Sequence, residues 1–543
     1  MPSFQYQKNS YMAKANHQIF RSWVPNWLAV VAIFLTLVPV AAVLGIYMGG
    51  VGSAASYYGV DSTDVRYSVV VFYLAIAAAF PLERNFFNRF ASKPYLVGCS
   101  IIFVIINLIL YNSNSFGLLL FFRFVGGMLS LGFIGMMFSL IFQQFHAQRS
   151  RVLGYATFYA TLLSTAPLSQ LLDAFVFNKY DFNAIFLLKI YSVIPGMILL
   201  CLVLRNDIDF RKEGKISLKT VDWASFVLYS SSLLLLAYIL LYGQYYHWFY
   251  SMRIIICCIA FIFIFTLNIV RQLRLKNPYI DLAIFKQRNF RIGMLLLIAF
   301  YFSKGDTSVL YGFFANSLHL DAYHQSYIMI VNAFGIIAGA ALAARFILVK
   351  TRIRLIWLAG FGSLLAFHLL SLRVISHQAE TFDILLPLFL LGFGNGILIL
   401  SIVIFYVTAV PEKIAFSASV TGVAFRFATF TASMAMVSFM GLRQEKIHYN
   451  SFSEDITATN TLSMQRLQGY QMALTHGGAS RLQSTQGAKK LLGKAVAKQS
   501  NLLYARDYYI YMSIFIALIM LAIAVIPRFH YHLRKIGAKL IPV

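Results

Sequence analysis

Five ionisable side chains, Arg123, Lys189, Lys304, Asp306 and Arg426, fall inside long uncharged stretches of this 543-residue sequence, and Asp173 sits at the outer edge of another. An ionisable group in an apolar environment costs several kcal/mol unless it is paired or hydrated, so such groups mark paths for protons, ions or charged solutes. Asp306 is the only carboxylate deep in such a stretch, about 20 Å from the basic end of its helix. Lys304 is two residues away, which on an unbroken helix points to nearly the opposite side, although Gly305 between them permits a local break. Two roles are open to Asp306: proton carrier, or fixed counter-ion to Lys304, Arg123 or Arg426. The excess of embedded cations over embedded acid points to a cavity for amphipathic anions or weak acids. The alternative is that Arg123 and Arg426 hold helices together through backbone carbonyls.

The elements that carry these groups follow from composition. Hydrophobic residues make up 59% of the chain and charged residues 12%, against about 25% charged in a soluble domain. The solvent for most of the chain is therefore lipid, where only helices and closed barrels satisfy every backbone group. The apolar runs are continuous over about twenty residues rather than alternating, which selects helices and excludes a barrel. Spans are expected near residues 27–49, 67–83, 95–111, 117–142, 153–174, 184–204, 223–242, 254–270, 292–316, 325–347, 354–372, 384–408, 416–441 and 508–527. The fold class is thus an all-α integral membrane protein with about fourteen spans.

Charge sets the expected orientation. Lys and Arg crowd alternate loops, from Lys8, Lys14 and Arg21 through Arg84, Arg89 and Lys93, the 205–219 and 271–291 segments, and the tail from Arg528. The intervening short loops hold only Arg66, Lys179, Arg253 and Arg373. Basic loops stay in the cytoplasm, so both termini are expected there. The net charge of +26 is then topology and contact with anionic lipid, and nucleic acid is not needed to explain it. The polar stretch 442–507 is expected on the outer side; its second part, 464–505, is amphipathic and predicts one or two helices packed on the outer face.

Other motifs carry no chemistry. Cys99, Cys201, Cys257 and Cys258 lie in apolar runs without metal-site spacing. The histidines are scattered, and no metalloprotease, phosphate-loop or triad pattern appears, so no catalytic residues, cofactor or metal are expected. Gly392, Gly394 and Gly396 around Asn395 superficially suggest a nucleotide loop, but inside an apolar span they predict close helix packing or a kink, as do Gly335 and Gly339.

Several segments in order resemble one family. Asp222 and Trp223 with Gly243 and Trp248, the run Asn277, Pro278, Asp281, Phe285, Asn289 and Phe290, Arg123 with Gly127, and Arg426 between phenylalanines resemble motifs of the fourteen-span drug:proton antiporters of the major facilitator superfamily, the EmrB-type exporters. The loop after the second span keeps Arg89 and Lys93 of that family's conformational motif but has lost its acid and glycines; of the fifth-span motif only Pro167 survives, and the first span lacks the family's Asp. The chain thus resembles a divergent member.

The resemblance implies a major facilitator fold arranged as six, two and six helices: a cytoplasmic segment 1–26, a first bundle 27–204, two inserted helices within 205–291, a second bundle 292–527 that includes the outer segment 442–507, and a tail 528–543. It implies multidrug-type efflux of hydrophobic or amphipathic small molecules coupled to protons, in a bacterial inner membrane, with a periplasmic adaptor and an outer-membrane channel as partners beside the lipid bilayer. Arg123 and Lys189 then belong to the first bundle and Lys304, Asp306 and Arg426 to the second. An importer or symporter of a small nutrient is the alternative function, and a membrane-embedded enzyme a more distant one.

Overall fold

The computed structural model describes residues 19–42, 47–83, 93–145, 147–206, 221–305, 307–375, 379–457 and 459–525. Asp306 and Arg89 lie outside the described residues. In chain order the α-helices are α1 (Asn26–Ala42), α2 (Val51–Tyr58), α3 (Ser62–Ala79), α4 (Lys93–Tyr111), α5 (Phe116–Gln143), α6 (Ala147–Lys179), α7 (Ala184–Val203), α8 (Trp223–Tyr242), α9 (Met252–Arg274), α10 (Arg288–Lys304), α11 (Ser308–Asn316), α12 (Ala322–Leu348), α13 (Ile353–Val374), α14 (Thr381–Thr408), α15 (Glu412–Glu454), α16 (Thr461–His476) and α17 (Arg481–Val525). Among the described residues thirteen helices are long and apolar enough to cross a membrane, counting α10 and α11 together, and α1 is a shorter apolar helix. The backbone pairing outside helices is a single antiparallel bridge between Phe20 and Leu204, again among the described residues.

Local chemistry starts these helices where polar side chains replace missing backbone acceptors. Ser115 caps α5, Asp222 caps α8, Asp321 caps α12 and Asn460 caps α16, each accepting a backbone N–H from the first turn. Between the caps the apolar runs propagate helix because lipid leaves the backbone no other partner.

Glycine decides the tightest helix contact. A Cβ at Gly335 or Gly339 of α12 would stand 2.3 or 2.2 Å from the backbone oxygens of Phe389 and Phe393, and one at Gly392 or Gly396 of α14 would stand 2.1 or 2.3 Å from those of Asn332 and Ile336. The two four-residue glycine repeats interlock, backbone against backbone, which is the packing expected of small residues in a membrane. Helix α14 is consequently buried along most of its length, while α12 packs on α6 and α14 on α13. At the other extreme, α9 packs on α8 and the short turn Trp248–Tyr250, and turns Ile256, Ile259, Ile262 and Phe263 outward.

Two features depart from the expected spans. The ninth apolar run is broken: α10 ends at Lys304, Gly305 takes φ +65°, and α11 starts at Ser308. Positive φ is open to glycine at no steric cost, and a Cβ there would also collide with the Tyr508 hydroxyl. The polar segment 442–507 is not a separate layer over the bundle: α15 runs on to Glu454 and α17 starts at Arg481 and continues into the last apolar run. At 1.5 Å per residue, the 45-residue α17 is about 65 Å long, roughly twice the thickness of a hydrocarbon core. Its first part pairs with α16, where Gln471 donates to Thr485 (3.0 Å), and at its base His448 of α15 pairs with Asp507 (2.7 Å). This end of the bundle is called the projecting rim below; the opposite end is the basic rim.

Candidate functional site

A cavity of about 140 Å³ lies where α3, α6, α10, α12, α14 and α15 meet. Its aromatic wall is Tyr73, stacked on Phe427 at 5.0 Å and edge-on to Phe430 at 5.6 Å, with Tyr301 alongside. The break in the ninth run supplies Lys304, Gly305 and Thr307 to the lining, and α6 supplies Thr165, Pro167 and Gln170. A helix that stops inside the membrane turns backbone polar groups toward a cavity, which is where such breaks are tolerated.

Several polar groups converge on the cavity. Arg426, itself lining the cavity, has its guanidinium carbon 5.4 Å from the ring centres of Tyr159 and of Phe427, and its buried Nε has no hydrogen-bond partner among the described residues. The Asn395 side-chain oxygen is likewise buried and unpartnered there, whereas Asn332 donates to the Leu388 carbonyl at 3.1 Å. Gln170 accepts a hydrogen bond from the Tyr311 hydroxyl. Two cations, an unpartnered amide oxygen and four rings suit an amphipathic solute that brings an acidic or hydrogen-bonding head.

Arg123 and Lys189 lie outside this lining, in a second polar cluster toward the projecting rim. Arg123 donates from Nε to the Ser68 carbonyl (3.3 Å) and stacks its guanidinium 4.2 Å from the Phe72 ring centre, leaving one terminal nitrogen unpartnered among the described residues. Lys189 Nζ is 4.6 Å from the centre of the Phe186 ring. Tyr47 links them, with Arg123 at 5.3 Å and Lys189 at 5.9 Å from its ring. The cluster's acid is Asp173, 2% exposed, which accepts the Tyr47 N–H at 3.0 Å. Asp173, expected at the outer edge of its span, is six residues from the end of α6 and buried there. A signal was present: Thr165, Ser169 and Asp173 recur every four residues, one buried face of α6. Bracing of helices through backbone carbonyls was the alternative reading of Arg123 and Arg426, and the Arg123 contact with the Ser68 carbonyl has that form. Gly127, one turn on, lets α5 press against α3, since a Cβ there would stand 2.6 Å from the Phe72 oxygen.

Lys93, kept from the loop motif, sits at the basic rim, where Nζ donates to the Leu204 carbonyl (3.2 Å) and to Asn206 (2.7 Å). The same Asn206 accepts from Arg21 (3.4 Å), so Lys93 ties the start of α4 to the end of α7 and to the entering chain. The other motif residues have joining roles. Asp222 pairs with Arg271 of α9 at 2.8 Å, Asp281 caps the turn Leu282–Lys286 and takes the Ser417 hydroxyl oxygen as acceptor for its own N–H (3.1 Å), and Gly243 gives room to Trp248.

With this geometry established, the chain was compared with known proteins. No family model matches it. It is similar to the multidrug export protein EmrB of Escherichia coli K12, 24% identical over 276 residues, 50% of this chain and 53% of that protein. It is also similar to the probable multidrug resistance protein EmrY of the same strain, 22% identical over 247 residues, 46% of this chain and 47% of that one. The chain spans about half the length of the curated relatives it matches. Among solved structures, the proton:xylose symporter XylE superposes with a TM-score of 0.50 over 88% of this chain and 94% of that one, at 12% identity, a likeness of fold alone. The chain has the major facilitator fold. Its distant sequence relatives are EmrB-type exporters, as the motifs suggested, and its neighbours are transporters rather than enzymes. With its many helices long and apolar enough to span a bilayer, it is a multi-pass membrane protein, and the cavity described above lies among those helices.

Proposed function

We propose that the protein is a secondary active exporter in the bacterial inner membrane, moving amphipathic small molecules, with anions and weak acids preferred, against an inward flow of protons. The observation that carries this reading is the cavity in which Lys304, Arg426 and the unpartnered Asn395 oxygen face a wall of Tyr73, Tyr301, Phe427 and Phe430. Facilitator sites form near the midplane between helix bundles, commonly at broken helices, and the ninth run breaks at this cavity. Pockets for drug-sized ligands run to roughly 300–1,000 Å³, so in this reading a cavity of about 140 Å³ widens to admit cargo. Asp306, between two lining residues in sequence, is the proposed proton carrier.

In this reading fourteen helices span as six, two and six, both termini are cytoplasmic, and the projecting rim faces outward. The helices α16 and α17 then rise from the membrane as a docking surface for a periplasmic adaptor that leads to an outer-membrane channel. Deletion of residues 450–498 should abolish adaptor co-purification.

The central test is accumulation of a panel of labelled amphiphiles in cells with and without the protein, with and without a proton gradient. Export of an anionic dye in preference to a cationic one is expected, and Asp306→Asn should abolish gradient-driven movement. Preferential export of the cation overturns the substrate preference, and gradient dependence retained in Asp306→Asn overturns the carrier role.

A further inference from the structure

Among the described residues Asp173 is the one carboxylate whose residue is fully buried. It has no cation within 4.0 Å of its oxygens among those residues, although Lys189 acts on it across the cluster. Its hydrogen bond comes from the backbone N–H of Tyr47, a residue held in the left-handed region at φ 51°. That region is sterically unfavourable for a non-glycine residue, so the carboxylate is part of what keeps Tyr47 there. The Tyr47 hydroxyl in turn donates to Ser68 Oγ (3.0 Å), whose own hydroxyl hydrogen goes to the Val65 carbonyl (2.7 Å).

We propose that Asp173 is a proton-binding site, separate from the cavity and from Asp306, whose occupancy controls the hold on Tyr47. The groups acting on Asp173 are the Tyr47 N–H and Lys189 of α7, and around Tyr47 in turn stand Arg123 of α5, Tyr58 of α2 and Ser68 of α3. Among the described residues no group of three or more His, Cys, Asp or Glu side chains gathers to hold a metal ion, whereas a proton needs no ligand shell. The rings of Phe177, Phe182 and Tyr58 pack over the cluster on the side of the projecting rim and restrict water. The cluster also adjoins the cavity through the chain itself: Met48 follows Tyr47, Gln170 precedes Asp173 by one turn, and both line the cavity. Ionised Asp173 accepts the Tyr47 N–H strongly; on protonation the bond weakens, the left-handed turn is released, and Met48 and the α6 wall are free to shift. Proton entry at this point thereby changes the shape offered to cargo.

This inference rests on the proton-coupled reading for its purpose but is tested without cargo, so the two fail separately. The purified full chain in lipid nanodiscs is titrated by infrared difference spectroscopy, reading the carbonyl stretch of protonated carboxylic acids above about pH 6, where ordinary carboxylates are ionised. A band is expected in the wild type, with an Asp173 component that is lost in Asp173→Asn and retained in Asp306→Asn. In Lys189→Met, which removes a facing cation, the same band should persist to higher pH; a merely structural Asp173 would give no band to move. Absence of the band from the wild type, or its full retention in a folded Asp173→Asn protein, overturns the proposal. If Asp173→Asn does not fold, an unmoved or absent band in Lys189→Met overturns it instead.

Discussion

His368 Nε2 lies 2.9 Å from the carbonyl oxygen of Ser303, two residues before the chain breaks at Gly305. The last carbonyls of a helix have no partner within it, and a carbonyl can only accept, so the imidazole donates from Nε2. His368 is fully buried, with its other nitrogen unpartnered among the described residues. It closes the end of α10 from the neighbouring α13. Leaving a buried carbonyl unpaired costs about 1–3 kcal/mol. His368→Leu should therefore lower thermal stability in detergent by that order, and His368→Gln, which keeps a donor, should recover part of it. Equal melting of the two variants would show that the hydrogen bond does not hold the break.

Gly339 and Gly98 make a matched pair for the interlocked helices. A methyl group at Gly339 meets the Phe393 oxygen at 2.2 Å, while at Gly98 nothing lies within 4 Å. Gly339→Ala should destabilise by about 1–3 kcal/mol, the usual cost of overpacking. Gly98→Ala, in a helix interior, should stabilise by about 0.5–1 kcal/mol. Unfolding of both variants by heat or denaturant in the same detergent checks the contrast, and a neutral Gly339→Ala would mean that α12 and α14 separate readily.

Asp222 and Arg271 join α8 to α9 at the basic rim. Burial pushes the Asp222 carboxyl up, but hydrogen bonds from Ser225 and Arg271 outweigh it and hold the group below the ordinary carboxylate range. A carboxyl depressed on folding contributes fully above its unfolded value near 3.9 and loses that contribution as pH falls toward the folded value. The pair is partly exposed, so the contribution is about 0.2–1 kcal/mol. Asp222→Asn keeps a helix cap but loses the charge. Its melting temperature should fall below that of the wild type at about pH 6 and converge with it as the pH drops through the folded carboxyl's lowered value; a difference that does not depend on pH would place the effect in the cap.

Reporter fusions test the alternation of charged loops. A fusion after Lys212 and one after Asp321 should report opposite sides of the membrane, because basic loops resist export. Both in one compartment would contradict the proposed orientation, and with it the outward placement of α16 and α17.

Hydropathy was enough for the helical membrane class, nearly every apolar helix and the small-residue contacts of Gly335, Gly339, Gly392 and Gly396, and short motifs were enough for the family likeness. These properties are local: a greasy run is long or short whatever its neighbours are, and a four-residue glycine repeat marks a helix face wherever that face lands. Which polar groups meet was not legible in the same way. Of the four embedded cations Lys304 and Arg426 line the cavity while Arg123 and Lys189 stand in a second buried cluster, with Asp173 and with Tyr47, which sequence reasoning did not single out. Those outcomes depend on the rotation and depth of α5, α6 and α7 against one another, set by packing between residues far apart in the chain. The linear pattern holds each helix's faces; the direction each face turns comes from the partners it meets in three dimensions.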